Sequence, residues 1–243
     1  MGCTGEDSIN NELPKKQFHE MSEEEKEKVK KELEENDKNL EIDEEENEDP
    51  NLYKTYDWDE LIKKLPVAKT EEDRKKRLKL WKKINEYGNG YISFKRLNYQ
   101  LEKYLNLPII IQNTEPVKLA FNAACDKYSS YGIKKEDNLI EWMEFRIFLV
   151  YLRQYFEYWI MFEKIDNSED YKINLAEFKK AIPQMKNWGV EINEANAEKE
   201  FKSIDINNEG FISFEEFCSF AIKRSLDLEE DDGFDDEELK HLK

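Results

Sequence analysis

Two twelve-residue stretches near the C-terminal end carry oxygen-bearing side chains at alternating positions. In one, Asp205, Asn207, Glu209, Ser213 and Glu216 stand at positions 1, 3, 5, 9 and 12, with Gly210 at position 6. In the other, Asp166, Ser168, Asp170, Asn174 and Glu177 stand at the same positions. Position 7, Phe211 or Lys172, would contribute only its backbone carbonyl. A hard divalent cation of calcium's size takes six to eight oxygens at this spacing, the last two from a bidentate Glu. The chemistry implied is coordination of Ca2+, with two ions per chain. Each stretch departs once from the ideal. Glu209 is longer than the usual residue at position 5, and Tyr171 stands at position 6, where a positive φ normally calls for glycine.

Such oxygens must be gathered by the elements on either side. Taking Asn85, Asp166 and Asp205 as position 1, an apolar template repeats in register. Trp81, Phe162 and Phe201 lie four residues earlier, and Ile84, Ile165 and Ile204 one residue earlier. Ile92, Ile173 and Ile212 stand at position 8, Phe94, Leu175 and Phe214 at position 10, and Leu97, Phe178 and Phe217 at position 13. This is the spacing of helix, twelve-residue loop, helix, the EF-hand. The position 8 isoleucine lies in a short extended stretch that pairs with its counterpart in a neighbouring hand, so hands come in even numbers. A fourth is found at Phe121–Phe145, where Ile140, Trp142, Glu144 and Phe145 match positions 8, 10, 12 and 13. Its loop, Cys125–Leu139, is too long for the standard form and lacks the acidic spacing. The hand at Asn85 holds no loop carboxylate at the ligand positions and places Arg96 at position 12. Both N-terminal hands therefore read as degenerate and metal-free.

The expected fold is all-α, with two EF-hand pairs and acidic disordered tails. Residues 1–50 form an acidic tail, 51–154 the degenerate pair, 155–226 the calcium-binding pair and 227–243 a second acidic tail. Glu23–Glu35 reads as polar all round, a transient helix with no face to bury. Asp57 caps a short helix, Trp58–Leu65, stopped by Pro66, and Thr70 with Asp73 opens a helix over Glu71–Ile84. Trp188-Gly189-Val190 reads as a helix exit. A formal net charge of −18 makes nucleic acid a poor partner. Cys3, Cys125 and Cys218 lack zinc or disulfide spacing, and His19 and His241 lie in the tails. No catalytic constellation is available, and an enzyme is not expected.

The chain resembles the flagellar calcium-binding proteins, the calflagin family, from about Trp58 to Leu226. The resemblance rests on Trp58 with Leu65-Pro66, on Gly88-Asn89-Gly90, and on the long second loop leading into Glu141-Trp142-Met143-Glu144-Phe145-Arg146. It continues through Met161-Phe162, Leu175-Ala176-Glu177-Phe178-Lys179, Ala181-Ile182-Pro183 and Trp188-Gly189-Val190. It implies a four-hand protein on the cytoplasmic side of a flagellum or cilium, membrane-associated or axonemal, acting on a protein partner. It also implies myristoyl on Gly2 and palmitoyl on Cys3. Glu6 departs from the Ser or Thr that the myristoylation pattern wants, which leaves an unmodified tail as the alternative.

The leading expectation is a calcium sensor. Calcium draws in the position 12 Glu, which otherwise stands out of reach of the loop. The helices then open a groove lined by Met161, Phe162, Phe178, Met185, Phe217 and Phe220. The alternative is a structural axonemal protein using the aromatic helix around Tyr151, Tyr155, Tyr158 and Trp159 as a fixed docking surface. A calcium buffer is third.

Overall fold

The structure is a computed structural model that describes residues 18–38, 40, 65–105, 115–130, 139–224 and 226. Among these residues eight α-helices and four short strands follow in chain order: α1 Glu23–Lys38, α2 Glu71–Ile84, β1 Tyr91–Ser93, α3 Phe94–Leu105, α4 Glu115–Ser130, β2 Leu139–Glu141, α5 Trp142–Ile165, β3 Ile173–Asn174, α6 Leu175–Asn187, α7 Ala197–Ile204, β4 Phe211–Ile212 and α8 Phe214–Lys223. The segment expected as Trp58–Leu65 lies almost wholly outside the described residues, as do the tail 227–243 and both lipidation positions, Gly2 and Cys3.

The position 8 isoleucines pair as the repeat requires. β1 and β2 are antiparallel with Ile92 opposite Ile140. β3 and β4 are antiparallel with Ile173 opposite Ile212. All four isoleucines are fully buried. Each two-stranded ribbon is too short to stand alone and is held by the four helices around it. At Glu71–Ile84 the helix begins where the cap predicts: the Thr70 hydroxyl accepts from Asp73 N–H at 3.2 Å. α6 ends in a Schellman turn. Val190 N–H donates to Met185 O and Gly189 N–H to Lys186 O, with Gly189 at φ +86.

α5 is the axis of the molecule. Its 24 residues span about 36 Å. It is apolar over most of its circumference and buries fifteen of its residues, while Glu163 and Lys164 near its end are exposed. Phe145, Phe148, Phe156, Trp159 and Phe162 are among its buried side chains. Its first half is the exiting helix of the second hand and its last half the incoming helix of the third. The boundary expected at 154/155 thus falls inside an unbroken helix, and one hydrophobic core runs from Leu65 to Leu226 through both pairs. Arg146 on this helix donates to Val67 O at 3.2 Å, and Arg77 of α2 donates to Pro66 O and Ala68 O. These bonds pin residues 65–68 across the helices.

One expectation is corrected here. Glu23–Glu35 was read as having no face to bury, but α1 buries Leu33, and Phe18 just before it is 2% exposed. These two, with Met21 and Val29, cover Tyr91 and Leu139 on the first ribbon. Two or three apolar groups suffice because their counterparts are supplied by residues far along the chain.

Because one core serves both pairs, urea unfolding in saturating calcium should be a single transition, superimposable by circular dichroism and tryptophan fluorescence. Two separated transitions would show that the pairs fold independently.

Candidate metal centres

Each C-terminal loop begins where its incoming helix stops. Asp166 N–H donates to Phe162 O and Asp205 N–H to Phe201 O, both at 2.9 Å, closing the last helical turn. The loops then turn through left-handed residues at positions 4 and 6. Glu169 and Tyr171 take φ of 59° and 60° in the third hand, and Asn208 and Gly210 take 57° and 88° in the fourth. These turns aim loop amides inward, at the carboxylates. Asp166 accepts from Ser168 Oγ and Glu169 N–H on one oxygen and from Tyr171 N–H on the other. Asp205 accepts from Glu209 N–H and Gly210 N–H.

The position 12 glutamates belong to the exiting helices. The sequences Asn174-x-x-Glu177 and Ser213-x-x-Glu216 are capping boxes. Glu177 Oε2 accepts from Asn174 N–H at 3.0 Å, and its Oε1 accepts from Asn167 and Ser168 N–H. Glu216 Oε2 accepts from Ser213 N–H and hydroxyl, and its Oε1 from Ile206 N–H at 2.9 Å and Asn207 N–H at 3.4 Å. The expectation that these carboxylates stand out of reach of the loop is therefore corrected. The amides at positions 2 and 3 already draw them in. For Glu216, burial is the largest single influence and raises the pKa. The donors from Ser213, Ile206 and Asn207 together outweigh it and hold the carboxyl below its ordinary value. Its stabilising contribution is present above the unfolded carboxyl pKa and is lost as pH falls through the lower folded one.

Asp166, Glu177, Asp205 and Glu216 are all buried, at 5 to 9% exposure. Among the described residues no Lys, Arg or His forms an ion pair with any of the four. Buried carboxylates want a counter-charge, and among the described residues these have amide and hydroxyl dipoles instead. The remaining donors, Ser168, Asp170, Asn174, Asn207, Glu209, Ser213 and the carbonyls of Lys172 and Phe211, are all oxygens, so the set fits calcium. As the loops stand, among the described residues no three acidic, thiol or imidazole side chains are gathered tightly enough to enclose an ion. Position 5 explains why in the third hand: Asp170 Oδ1 accepts from Lys172 N–H at 3.1 Å. Asn174 likewise spends its Oδ1 on the amides of Ala176 and Glu177.

The N-terminal hands differ in kind. Asn85 N–H closes α2 and Gly88 and Gly90 take φ of 64° and 85°, so the first loop keeps its turn. Its position 12 holds the Arg96 guanidinium, 1% exposed, which donates to Glu86 Oε1 at 3.0 Å. In the second hand α4 runs on to Ser130, so Cys125, where position 1 would fall, lies within a helix and offers no ligand oxygen. Residues 131–138 of that loop lie outside the described residues. Glu144, at position 12, accepts from Glu141 N–H instead.

Sequence reasoning missed how Tyr171 is accommodated. Its ring stacks on Trp159 with centroids 5.9 Å apart and 28° between planes, and Trp159 also meets Phe214 edge-on at 4.9 Å. The signal was a tryptophan on the core face of the incoming helix one turn before Phe162. Of the aromatics named for the structural alternative, Tyr155, Tyr158 and Trp159 are buried and Tyr151 is half-buried. Phe162, Phe178, Met185, Phe217 and Phe220 are buried too, so the groove is closed in this structure.

The left-handed turn costs a residue with a Cβ about 1 kcal/mol or more, and the stack returns about 0.5–1.5 kcal/mol. Tyr171→Ala keeps the first and loses the second. It should be less stable than Tyr171→Gly by about 1 kcal/mol in metal-free denaturation. Equal stability would mean that the loop relaxes away from positive φ.

Residues 61–152 match the family model "FCaBP EF-hand domain", and residues 158–222 match "EF-hand domain pair". The chain is 31% identical over 178 residues to flagellar calcium-binding protein TB-24 of Trypanosoma brucei brucei, covering 70% of this chain and 78% of that protein. It is 29% identical to the flagellar calcium-binding protein of Trypanosoma cruzi, covering 72% and 82%. The similarity to TB-44A of Trypanosoma brucei brucei is 31%, but spans only 42% of that longer protein. With the paired hands, the unusual second loop and these relatives in agreement, the chain belongs to the flagellar calcium-binding protein family of EF-hand proteins.

Proposed function

We propose that this chain is a flagellar calcium sensor that binds two calcium ions, one in Asp166–Glu177 and one in Asp205–Glu216. The observation that carries this reading is the contrast at position 12. The third and fourth hands bury position 12 carboxylates with no cation beside them, the first buries a cation of its own, and the second buries Glu144 but has a helix where its position 1 ligand would be. Calcium supplies the charge that the C-terminal loops lack. Binding would turn Asp170 and Asn174 from local amides toward the ion and tighten the capping-box glutamates around it. The starts of α6 and α8, at Phe178 and Phe217, would shift with them. Phe162 touches Phe217 edge-on at 5.7 Å, so a shift of α8 disturbs the core directly. The apolar surface released would receive a protein partner. Placement at a flagellum or cilium draws on the relatives' names; the cytoplasmic side, with membrane association through Gly2 and Cys3 or an axonemal seat, is proposed with it. Acylation there is part of this proposal.

Calorimetric titration should give two calcium ions per chain, and Glu216→Gln should leave one. Three or four tight sites would show that Asn85–Arg96 or the second loop binds metal. A hydrophobic dye should bind more strongly in calcium than in chelator. Equal dye binding with two ions bound would identify a buffer rather than a sensor.

A further inference from the structure

We propose that α1 is an intramolecular latch, whose C-terminal end completes the degenerate first loop by coordinating Arg96. The latch holds residues 18–38 on the N-terminal pair whether or not calcium is bound. The inference is independent of the sensor reading.

Arg96 stands where a calcium-binding hand has its bidentate Glu, and its guanidinium needs oxygens as an ion would. Only one comes from its own loop, Glu86 Oε1. The others come from α1: Arg96 Nε donates to Asp37 Oδ1 and Arg96 Nη2 to Asn36 O, both at 3.2 Å. Lys95 Nζ donates to Asp37 O at 2.6 Å, and Ser93 Oγ donates to the other oxygen of the Asp37 carboxylate. The Tyr87 ring lies 4.3 Å from the guanidinium carbon. A helix C-terminus carries partial negative charge, which suits a buried cation.

The other end of α1 has its own anchor. Phe18 N–H donates to Glu141 Oε1 at 3.2 Å, and the Phe18 ring meets Tyr91 edge-on at 5.5 Å. Tyr91 and Leu139 both occupy position 7 of their hands. In the C-terminal pair, position 7 holds exposed Lys172 and half-buried Phe211, with the ammonium over the ring at 4.1 Å. Position 12 there holds carboxylates. An acidic helix finds a buried cation at position 12 of the first pair, where the second pair offers carboxylates. The anchoring bonds named here all run to the N-terminal pair, so the proposal expects the latch to hold with or without calcium.

Hydrogen exchange on the full chain tests this, with the free peptide 18–38 as the unprotected reference, since an isolated helix of this length is marginal in water. In the wild-type chain, amides of residues 26–38 should exchange at least about tenfold more slowly than in the peptide, equally in calcium and in chelator. Asp37→Asn and Arg96→Gln should each bring those amides to within about threefold of the peptide. Residues 166–223 should keep their protection in calcium, which shows that the body remains folded. Because Arg96→Gln could also loosen the first loop, the Asp37→Asn result is read with protection of 91–93 and 139–141 intact. Peptide-like exchange in the wild type, protection that appears only with calcium, or protection unchanged in both variants would each overturn the proposal.

Discussion

A loop that points its oxygens at one place must find positive charge there, and the side chain at position 12 decides where that charge comes from. It is the third residue of the exiting helix, so its identity is fixed to a helix start as well as to the loop. In the C-terminal hands it is Glu177 or Glu216, tied by a capping box to the helix it begins. The charge must then come from outside the chain. In the first hand it is Arg96, and the chain supplies the charge itself. Both solutions leave the ribbon pairing and the core unchanged, which is why one fold holds hands of both kinds.

That division gives the two halves different duties. The N-terminal pair is complete without metal. Its loop is closed by an ion pair, its second hand has a helix where a ligand would be, and its ribbon is covered by α1. The C-terminal pair is incomplete: its carboxylates are held inward by amides that a cation would displace or share. α5 joins the two without a linker, and its buried residues belong to the one core that both pairs share.

Much of this was legible in the sequence where the determinants are local. The isoleucines at position 8 predicted both ribbon registers, including that of the second hand, because the pattern survives when the ligands do not. The start of the helix at Glu71 followed from Thr70 and Asp73. What escaped was non-local. Asp37 and Arg96 are 59 residues apart, and Phe18 and Glu141 are 123 apart. No periodicity in Glu23–Glu35 could reveal that one leucine and one carboxylate had seats waiting for them. The reach of Glu177 and Glu216 was also misjudged. The same Asn-x-x-Glu and Ser-x-x-Glu spacing that marks ligands marks a capping box, and the cap holds the carboxylate near the loop amides before any ion arrives.

The central claim is that the chain has two metal sites and two metal-free hands: Arg96 takes position 12 of the first hand, and the second keeps Glu144 there but has a helix where its position 1 ligand would be. An anomalous difference map from a crystal of the full chain grown with calcium tests it most directly. The account predicts one peak within Asp166–Glu177, one within Asp205–Glu216, and the Arg96 guanidinium beside Asp37 in the first hand. A calcium peak inside Asn85–Arg96, or none in either C-terminal loop, would contradict it.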